Sequence, residues 1–354
     1  MRTELFDYVL PPAQIAQHPQ AERSGSRMMV FDRRASTVVL SRFVEFPNCL
    51  RAGDLLVLND SRVIPARLHG CKVEGGGRVE ILLLRQQERG AWWVLLKPGK
   101  RVRAGTRLRF PGQDGSELRA VVGEKADDGR CLLAFDDGVG VLEFAEKHGE
   151  LPLPPYIARE TPDSEDRERY QTVYARVPGS IAAPTAGLHL SPEILAALRG
   201  KGVEVASVTL HVGLGTFAPV KAEDVSDHVM HSEEYVVPSA TADAVVRAKG
   251  EGRRVVAVGT TSLRVLESAA RSGGGEVRAG SGSTNLFLHP PATFRVVDVL
   301  LTNFHLPRST LLMLVCAFAA PGSESGREPM LAAYRRAVEA GFRFFSYGDA
   351  MLIH

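Results

Sequence analysis

Residues 54–64 read DLLVLNDSRVI. Leu55, Leu56, Val57 and Leu58 form an unbroken apolar run of strand length, which fits a strand covered on both faces. The run ends in a polar turn carrying Asn59, Asp60 and Arg62. α/β proteins place ligand contacts on turns of this kind, directly after a buried strand. Downstream the pattern changes. Residues 66–149 carry the runs RVEILLLR, AWWVLLK, TRLRF, LRAVVGE and CLLAF, separated by Gly-, Asp- or Pro-containing turns. No helical period intervenes until about residues 139–148. Short strands with frequent turns predict a small antiparallel β domain, a barrel or a sandwich. From residue 151 onward strands and helices alternate. Helices are expected over 192–199 behind the N-cap Ser191, and over 241–250, 261–271, 309–320 and 330–340. Strands are expected over 203–211, 254–258, 294–301 and 342–346. The expected architecture is therefore a discontinuous main α/β domain, residues 1–65 plus 150–354. Residues 66–149 insert a small antiparallel β-barrel domain into it.

A length of 354 residues suits about two domains of roughly 150 residues each. Apolar residues at 44%, charged at 24% and aromatic at 7% are ordinary globular values and exclude a disordered or fibrous chain. A net charge of +2 is too balanced for a purely electrostatic nucleic-acid binder, so any basic surface must be local. The opening MRTELFDYVLPPAQ has acids and prolines where a signal peptide needs an apolar run, and no stretch approaches the ~18 apolar residues of a membrane span. Cys49, Cys71, Cys131 and Cys316 are scattered without C-x-x-C spacing, which argues against a zinc site and a disulfide framework. A cytoplasmic protein without membrane contact is expected.

Several segments carry polar groups suited to chemistry. SIAAPTAGLHL (180–190) is dense in small residues, which let backbone approach a ligand closely, and holds Thr185, Gly187 and His189. HVGLGTFAP (211–219) follows an expected strand. His211 there is a candidate general base, and Gly213, Gly215 and Thr216 form a candidate anion cradle, although the full G-x-G-x-x-G fingerprint is absent. His228, His231, Glu233 and Glu234 match no standard metal spacing and read better as a substrate-contacting loop. Gly259, Thr260, Thr261 and Ser262 sit between a strand and a helix, where free N–H groups suit a carboxylate or phosphate, with Arg264 one turn on as a bidentate clamp. Asn303 and His305 lie in another polar turn, and FFSYGD (344–349) is a third. Lys97, Lys100, Arg101, Arg103, Arg107 and Arg109 lie in KPGKRVRAGTRLR with no acidic residue, a local positive face suited to phosphates. Trp92 and Trp93 alternate faces, so one belongs to the core.

Taken together, FDYVLPPAQIAQHP, GDLLVLNDSRVIPARL, LPLPPYI, ERYQTVYA, GSIAAPTAGLHL, VTLHVGLGTFAPV, HSEEY, GTTSLRVLES, LLTNFHLPRSTLLMLV and FRFFSYGDAML occur in order along the chain. The set resembles the S-adenosylmethionine:tRNA ribosyltransferase-isomerases of queuosine biosynthesis, over essentially the full length. The family usually has glycine at Pro291 and phenylalanine at Leu190. The resemblance implies an inserted β-barrel. It also implies transfer and isomerisation of the ribosyl part of S-adenosylmethionine onto 7-aminomethyl-7-deazaguanine at the tRNA wobble position, giving epoxyqueuosine, adenine and methionine. S-adenosylmethionine is then a consumed co-substrate; no cofactor and no metal are expected. The implied partners are that tRNA and S-adenosylmethionine, with no obligate protein partner, for a monomer.

Under this resemblance His211 and His189 are candidate base or acid, with Asp60 orienting or relaying a proton. Arg62 and Arg264 are candidates to hold the methionine carboxylate or a phosphate. Thr185, Gly187, Gly213, Gly215, Thr216, Gly259, Thr260, Thr261, Arg264 and Asn303 are expected to line the donor pocket. Lys97, Lys100, Arg101 and Arg103 are expected to touch the anticodon stem. Two rivals stand beside this reading. An RNA methyltransferase needs a glycine-rich nucleotide loop near the first strand, which the sequence lacks. A binding module predicts RNA affinity without turnover.

Overall fold

Two strands never signalled by a long apolar run start the fold. β1 (Arg27–Asp32) and β2 (Thr37–Arg42) pair as an antiparallel hairpin, followed by one helical turn, α1 (Phe46–Cys49). The structure is a computed structural model and describes residues 1–354 apart from 137–139, 155, 160–162, 164 and 214–219. The apolar run of residues 55–58 forms β3 (Leu55–Asn59), buried at every position. The expected turn is shorter than its sequence suggests. Asn59 ends β3, and Arg62 already lies in β4 (Ser61–Val63), leaving Asp60 between them.

Six strands then close into an antiparallel barrel. They are β5 (Arg67–Lys72), β6 (Arg78–Glu88), β7 (Ala91–Lys97), β8 (Arg107–Pro111), β9 (Glu117–Lys125) and β10 (Arg130–Phe135). Their alternate residues, Val79, Ile81 and Leu83 on β6 and Trp92, Val94 and Leu96 on β7, point inward, as a two-residue period requires. Trp92 is core; Trp93 faces out under Arg130. β5 escaped the sequence reading because RLHGCK is mostly polar. Its Gly70 is forced by contact: a Cβ there would lie 2.4 Å from Arg109 O and 2.5 Å from the Phe110 ring. One end of the barrel is closed by α2 (Val141–His148), which buries Val141, Phe144 and Ala145.

The rest of the chain supplies α3 (Asp166–Arg169), β11 (Val177–Ser180), α4 (Pro192–Gly200), β12 (Glu204–Leu210), β13 (Glu233–Val237), α5 (Ser239–Gly250), β14 (Val255–Val258), α6 (Gly259–Ser272), β15 (Gly280–Thr284), β16 (Val299–Asn303), α7 (Thr310–Ala319), α8 (Arg327–Glu339) and β17 (Ala350–Ile353). Nine strands make one mixed sheet in the order β15-β13-β12-β3-β14-β16-β17-β1-β2. At its centre β12, β3, β14 and β16 run parallel. Leu55 and Val57, with Val255, Ala257 and Leu300, pack on one face with α5 to α8. Leu56 and Leu58, with Val256, Val258 and Leu301, pack on the other with α1 and α4. Helices on both faces explain why these strands are apolar throughout. Ser191 caps α4 by accepting from Ile194 N, and Ser309 caps α7 by accepting from Leu312 N at 3.2 Å. Among the described residues no helix is long and apolar enough to cross a membrane.

Two expected strands are corrected. Residues 294–298 precede β16 without joining the ladder, because the buried Glu267 carboxylate takes the backbone N–H groups of Arg295, Val296 and Val297. Residues 342–346 form no ladder strand; Phe344 makes only an isolated parallel bridge to Ile15 before the chain turns. Arg343 N donates to the buried Asp349 carboxylate at 2.8 Å, Phe344 N to Gln14 O and Phe345 N to Phe304 O. The C-terminal strand is β17 instead.

Candidate active site

The carboxyl ends of β12, β3, β14 and β16 meet on one edge of the sheet, where open α/β sheets bind ligands. A cleft opens there, with about 490 Å³ of empty space when its solvent-open mouth is counted. Its walls come from residues 183–186, Gly259 with Thr260 and Thr261, residues 302–305, and Phe345 with Ser346, joined by Val212 and Leu311. Thr185, Gly259, Thr260, Thr261 and Asn303, expected from sequence, therefore share one cavity. Among the described residues none of those lining it is Asp, Glu, Lys or Arg. Charge recognition must come from backbone dipoles, hydroxyls and amides.

Local chemistry fixes these walls. Gly259 turns from β14 into α6 at φ 86°, a conformation open to glycine. No side chain caps α6; the Ser262 hydroxyl donates back to Val258 O. The first N–H groups of a helix have no intrahelical partner, so this terminus presents positive dipole to the cleft. Asn59, buried at the end of β3, donates to Leu210 O at 3.0 Å and to Thr261 Oγ1 at 3.3 Å, and accepts from Leu210 N and Ser61 N. It ties three elements together beneath the floor. Phe345 sits at φ 74°, a strained conformation for a phenylalanine, held by its bond to Phe304 and by packing against Tyr156.

His189 lies behind the Asn303 wall. It is 4% exposed and tilted over Phe43. Its Nδ1 bonds Ser26 Oγ at 2.8 Å and its Nε2 meets Asn303 Nδ2 at 3.1 Å. Burial, with Arg343 adding to it, lowers its pKa to about 4, so the ring is neutral near pH 7. With both nitrogens engaged it positions Asn303 rather than presenting a base. His305 is likewise buried, bonded to Thr302 and Tyr334, with its pKa lowered to about 3 by desolvation.

His211 belongs to a neighbouring arrangement. Its Nδ1 bonds Ser61 Oγ at 2.8 Å, and its ring lies across the backbone of Gly179. Asp60 is buried beside it, accepting from Thr209 Oγ1 at 2.6 Å and Arg176 Nη2 at 2.8 Å. Burial lowers the His211 pKa, opposed by the negative charges of Glu234 and Asp60. The next residue, Val212, lines the cleft, and Val212 N donates to Ser180 Oγ. Neither His211 nor Asp60 lines the cleft; Val212 links their arrangement to its wall, and His189 bonds Asn303 from behind that wall.

The two expected anion clamps are both engaged elsewhere. Arg62 pairs with Glu146 and faces a separate groove with Arg23 and Arg167. Arg264 is buried, pairs with Glu233 and donates to Leu286 O at 3.1 Å. Gly213 N donates to the other Glu233 oxygen at 3.1 Å, which holds the start of the G-x-G loop. Gly215 and Thr216 lie outside the described residues. Gly187 packs under Tyr174, whose hydroxyl leaves no room for a Cβ.

Lys97 ends β7 and pairs with Glu80 at 3.5 Å. Lys100 and Arg101 occupy a short 3-10 turn and Arg103 the loop after it, so these cations crown one end of the barrel instead of running along strands. Among the described residues Lys100, Arg101 and Arg103 have no carboxylate within ion-pair distance, and all three are exposed. Lys72 and Lys125 donate into the same loop, to Arg101 O and Gly99 O, both at 2.7 Å.

Ser26, Ser61 and Arg176 are not signalled by the sequence. Each acts through a partner far along the chain, and no local spacing signals it. Among the described residues no group of three or more His, Cys, Asp or Glu is placed to hold a metal ion.

Comparison with known proteins places this architecture. A family model described as "Queuosine biosynthesis protein" matches residues 3–353. The S-adenosylmethionine:tRNA ribosyltransferase-isomerase of Citrifermentans bemidjiense is 53% identical over 350 residues, covering 98% of each chain. Its namesake from Geobacter metallireducens is 51% identical over 358 residues, covering all of both chains. The crystal structure of S-adenosylmethionine tRNA ribosyltransferase from Thermotoga maritima matches at 40% identity and a TM-score of 0.56, covering 99% of this chain and 100% of that one. With the match extending over nearly every residue, and with half of the residues shared with curated relatives, the chain belongs to the queuosine biosynthesis protein family.

Proposed function

We propose that the chain is an S-adenosylmethionine:tRNA ribosyltransferase-isomerase. It moves the ribosyl group of S-adenosylmethionine onto 7-aminomethyl-7-deazaguanine at the tRNA wobble position and releases adenine and methionine. The observation that carries this reading is the convergence of distant motif segments on one cleft at the carboxyl ends of parallel strands.

The chemistry asks for a base, an acid and an exclusion of water. The sulfonium acidifies the adjacent ribose 5′ C–H. His211 is the base: its Nδ1 is held by Ser61, and a pKa lowered by burial keeps it neutral and able to accept the proton at pH 7. Loss of that proton gives an ylide, and adenine departs as it is protonated. The neutral aminomethyl nitrogen then attacks the sugar and gives up a proton, and epoxide closure breaks the sugar carbon–sulfur bond so that methionine leaves with its sulfur. The sulfonium supplies the electrophilic activation, so the reaction runs without a metal or further cofactor. Asp60, fixed by Thr209 and Arg176, holds negative charge near the imidazolium that forms. The cations at the barrel crown contact the anticodon stem. The enzyme works as a monomer in the cytoplasm, where both substrates are present.

Incubation with S-adenosylmethionine and tRNA bearing the deazaguanine base tests this reading. Stoichiometric release of free adenine and methionine with ribosylated tRNA is expected. Transfer of a labelled methyl group to tRNA, or tRNA binding without any turnover, overturns it.

A further inference from the structure

Asn303 ends β16 in the wall of the cleft and is 3% exposed. Its Nδ2 is committed to His189 Nε2, and its Oδ1 is buried without a hydrogen-bond partner. A buried amide oxygen left unmatched is costly, and native structures seldom retain one without a purpose. The His189 ring that meets this amide is held from behind by Ser26 and Phe43. Oδ1 is left as an unmatched acceptor on a residue of the cleft wall. In the same cleft stands the uncapped N-terminus of α6, a helix of 14 residues, with the Thr260 and Thr261 side chains beside it. Its free N–H groups and dipole select a negative group.

An anion seat and an unmatched acceptor in one cavity whose described lining holds no Asp, Glu, Lys or Arg match the two ends of an amino-acid zwitterion. We propose that the N-terminus of α6 and Asn303 together hold the amino-acid end of the donor: the helix N–H groups take its carboxylate, and Asn303 Oδ1 accepts from its ammonium. The assignment rests on the function proposed above and orients the donor within the cleft. The nucleoside half then extends along the apolar wall of Pro184, Leu311 and Phe345. His189 is a positioning residue, holding the Asn303 amide in register.

Donor binding to the full-length protein, without RNA, tests the assignment by equilibrium dialysis. The probes are S-adenosylmethionine, its decarboxylated analogue and its deaminated analogue. On the wild-type protein each deletion is expected to weaken binding about ten-fold or more, as loss of a charge-assisted hydrogen bond does. Asn303→Leu is expected to weaken S-adenosylmethionine by a similar factor while leaving the deaminated analogue almost unaffected. His189→Gln is expected to reproduce part of that selective loss with kcat less affected than KM. Equal binding of all three probes by the wild-type protein overturns the proposal, and that arm needs no variant to fold. Equal weakening of S-adenosylmethionine and the deaminated analogue by Asn303→Leu overturns the role of Asn303. An α6 terminus that serves an RNA phosphate instead predicts no carboxylate effect in the absence of RNA, which also overturns it. Turnover that persists in any of these cases leaves the proposed function standing, whereas a wild-type protein that never releases adenine removes that function itself.

Discussion

Gly179→Ala is the sharpest single perturbation of the proposed base. A Cβ at this position would sit 2.9 Å from His211 Cε1 and 3.0 Å from both ring nitrogens, closer than real Cβ contacts come. Gly179 also has φ 143°, which L side chains avoid. The backbone strain costs about 1–3 kcal/mol. Moving the imidazole off Ser61 Oγ forfeits a further ~1 kcal/mol of hydrogen bonding. A loss of about 2–4 kcal/mol is therefore expected in urea unfolding, which a chain of this size tolerates while remaining folded. The catalytic effect should be larger in proportion. A base moved out of reach loses roughly 10²–10⁴-fold in rate. Single-turnover release of adenine from saturating S-adenosylmethionine, with modified tRNA in excess, measures that step directly. Ser61→Ala is the control, since it removes the hydrogen bond without the steric clash and should lower the rate by a smaller factor. Wild-type adenine release from Gly179→Ala, with the stability loss alone observed, would refute the assignment of His211 as base.

The buried histidines make stability depend on pH. His189 and His305 have folded pKa values lowered from 6.5 to about 4 and about 3, so their neutral forms stabilise the fold above pH 6.5. As pH falls below 6.5 the unfolded chain binds protons first, and stability should drop by a few kcal/mol down to about pH 4; denaturation midpoints across that window check it, and His189→Gln should flatten the slope. Glu267→Gln puts an amide donor against the N–H groups of Arg295, Val296 and Val297 and abandons Arg271, so a loss of about 3–5 kcal/mol is expected in the same assay. Arg101→Glu with Arg103→Glu should weaken tRNA binding and reduce the magnitude of its logarithmic salt slope by about 2 units, read by filter binding between low and moderate salt.

The features legible in the sequence were those whose cause is local. Leu55, Leu56, Val57 and Leu58 announce a doubly covered strand because both faces of β3 are packed by helices. The runs 78–85 and 91–97 alternate because a closed barrel has one wet and one dry side. Ser191 and Ser309 mark helix starts because the cap contacts lie three residues away. The strands wrongly expected at 294–298 and 342–346 have the right residues for strands. The N–H groups of the first are diverted by Glu267, 28 to 30 positions earlier, and those of the second by Asp349 at Arg343 and by the carbonyls of Gln14 and Phe304 at Phe344 and Phe345. A carboxylate that captures a backbone segment leaves no period in that segment, so propensity reads the segment as free to join a ladder.

The same physics separates the two halves of the site. Small residues and glycines at strand ends mark where backbone approaches a ligand, and residues 183–186, 259–261 and 302–305 do converge on the cleft. What a sequence cannot rank is the role of each polar side chain there, because the role depends on which of its atoms are already used. Arg264 reads as a free clamp until Glu233 is found opposite it; His189 reads as a base until Ser26 and Asn303 occupy both nitrogens. His211 differs from His189 by one partner, not by residue type: Ser61 holds only Nδ1. Assigning roles in this fold is thus a matter of counting unspent hydrogen-bonding atoms: both ring nitrogens of His189 are used, whereas among the described residues only Nδ1 of the proposed base His211 is held, and the Asn303 amide oxygen has no partner.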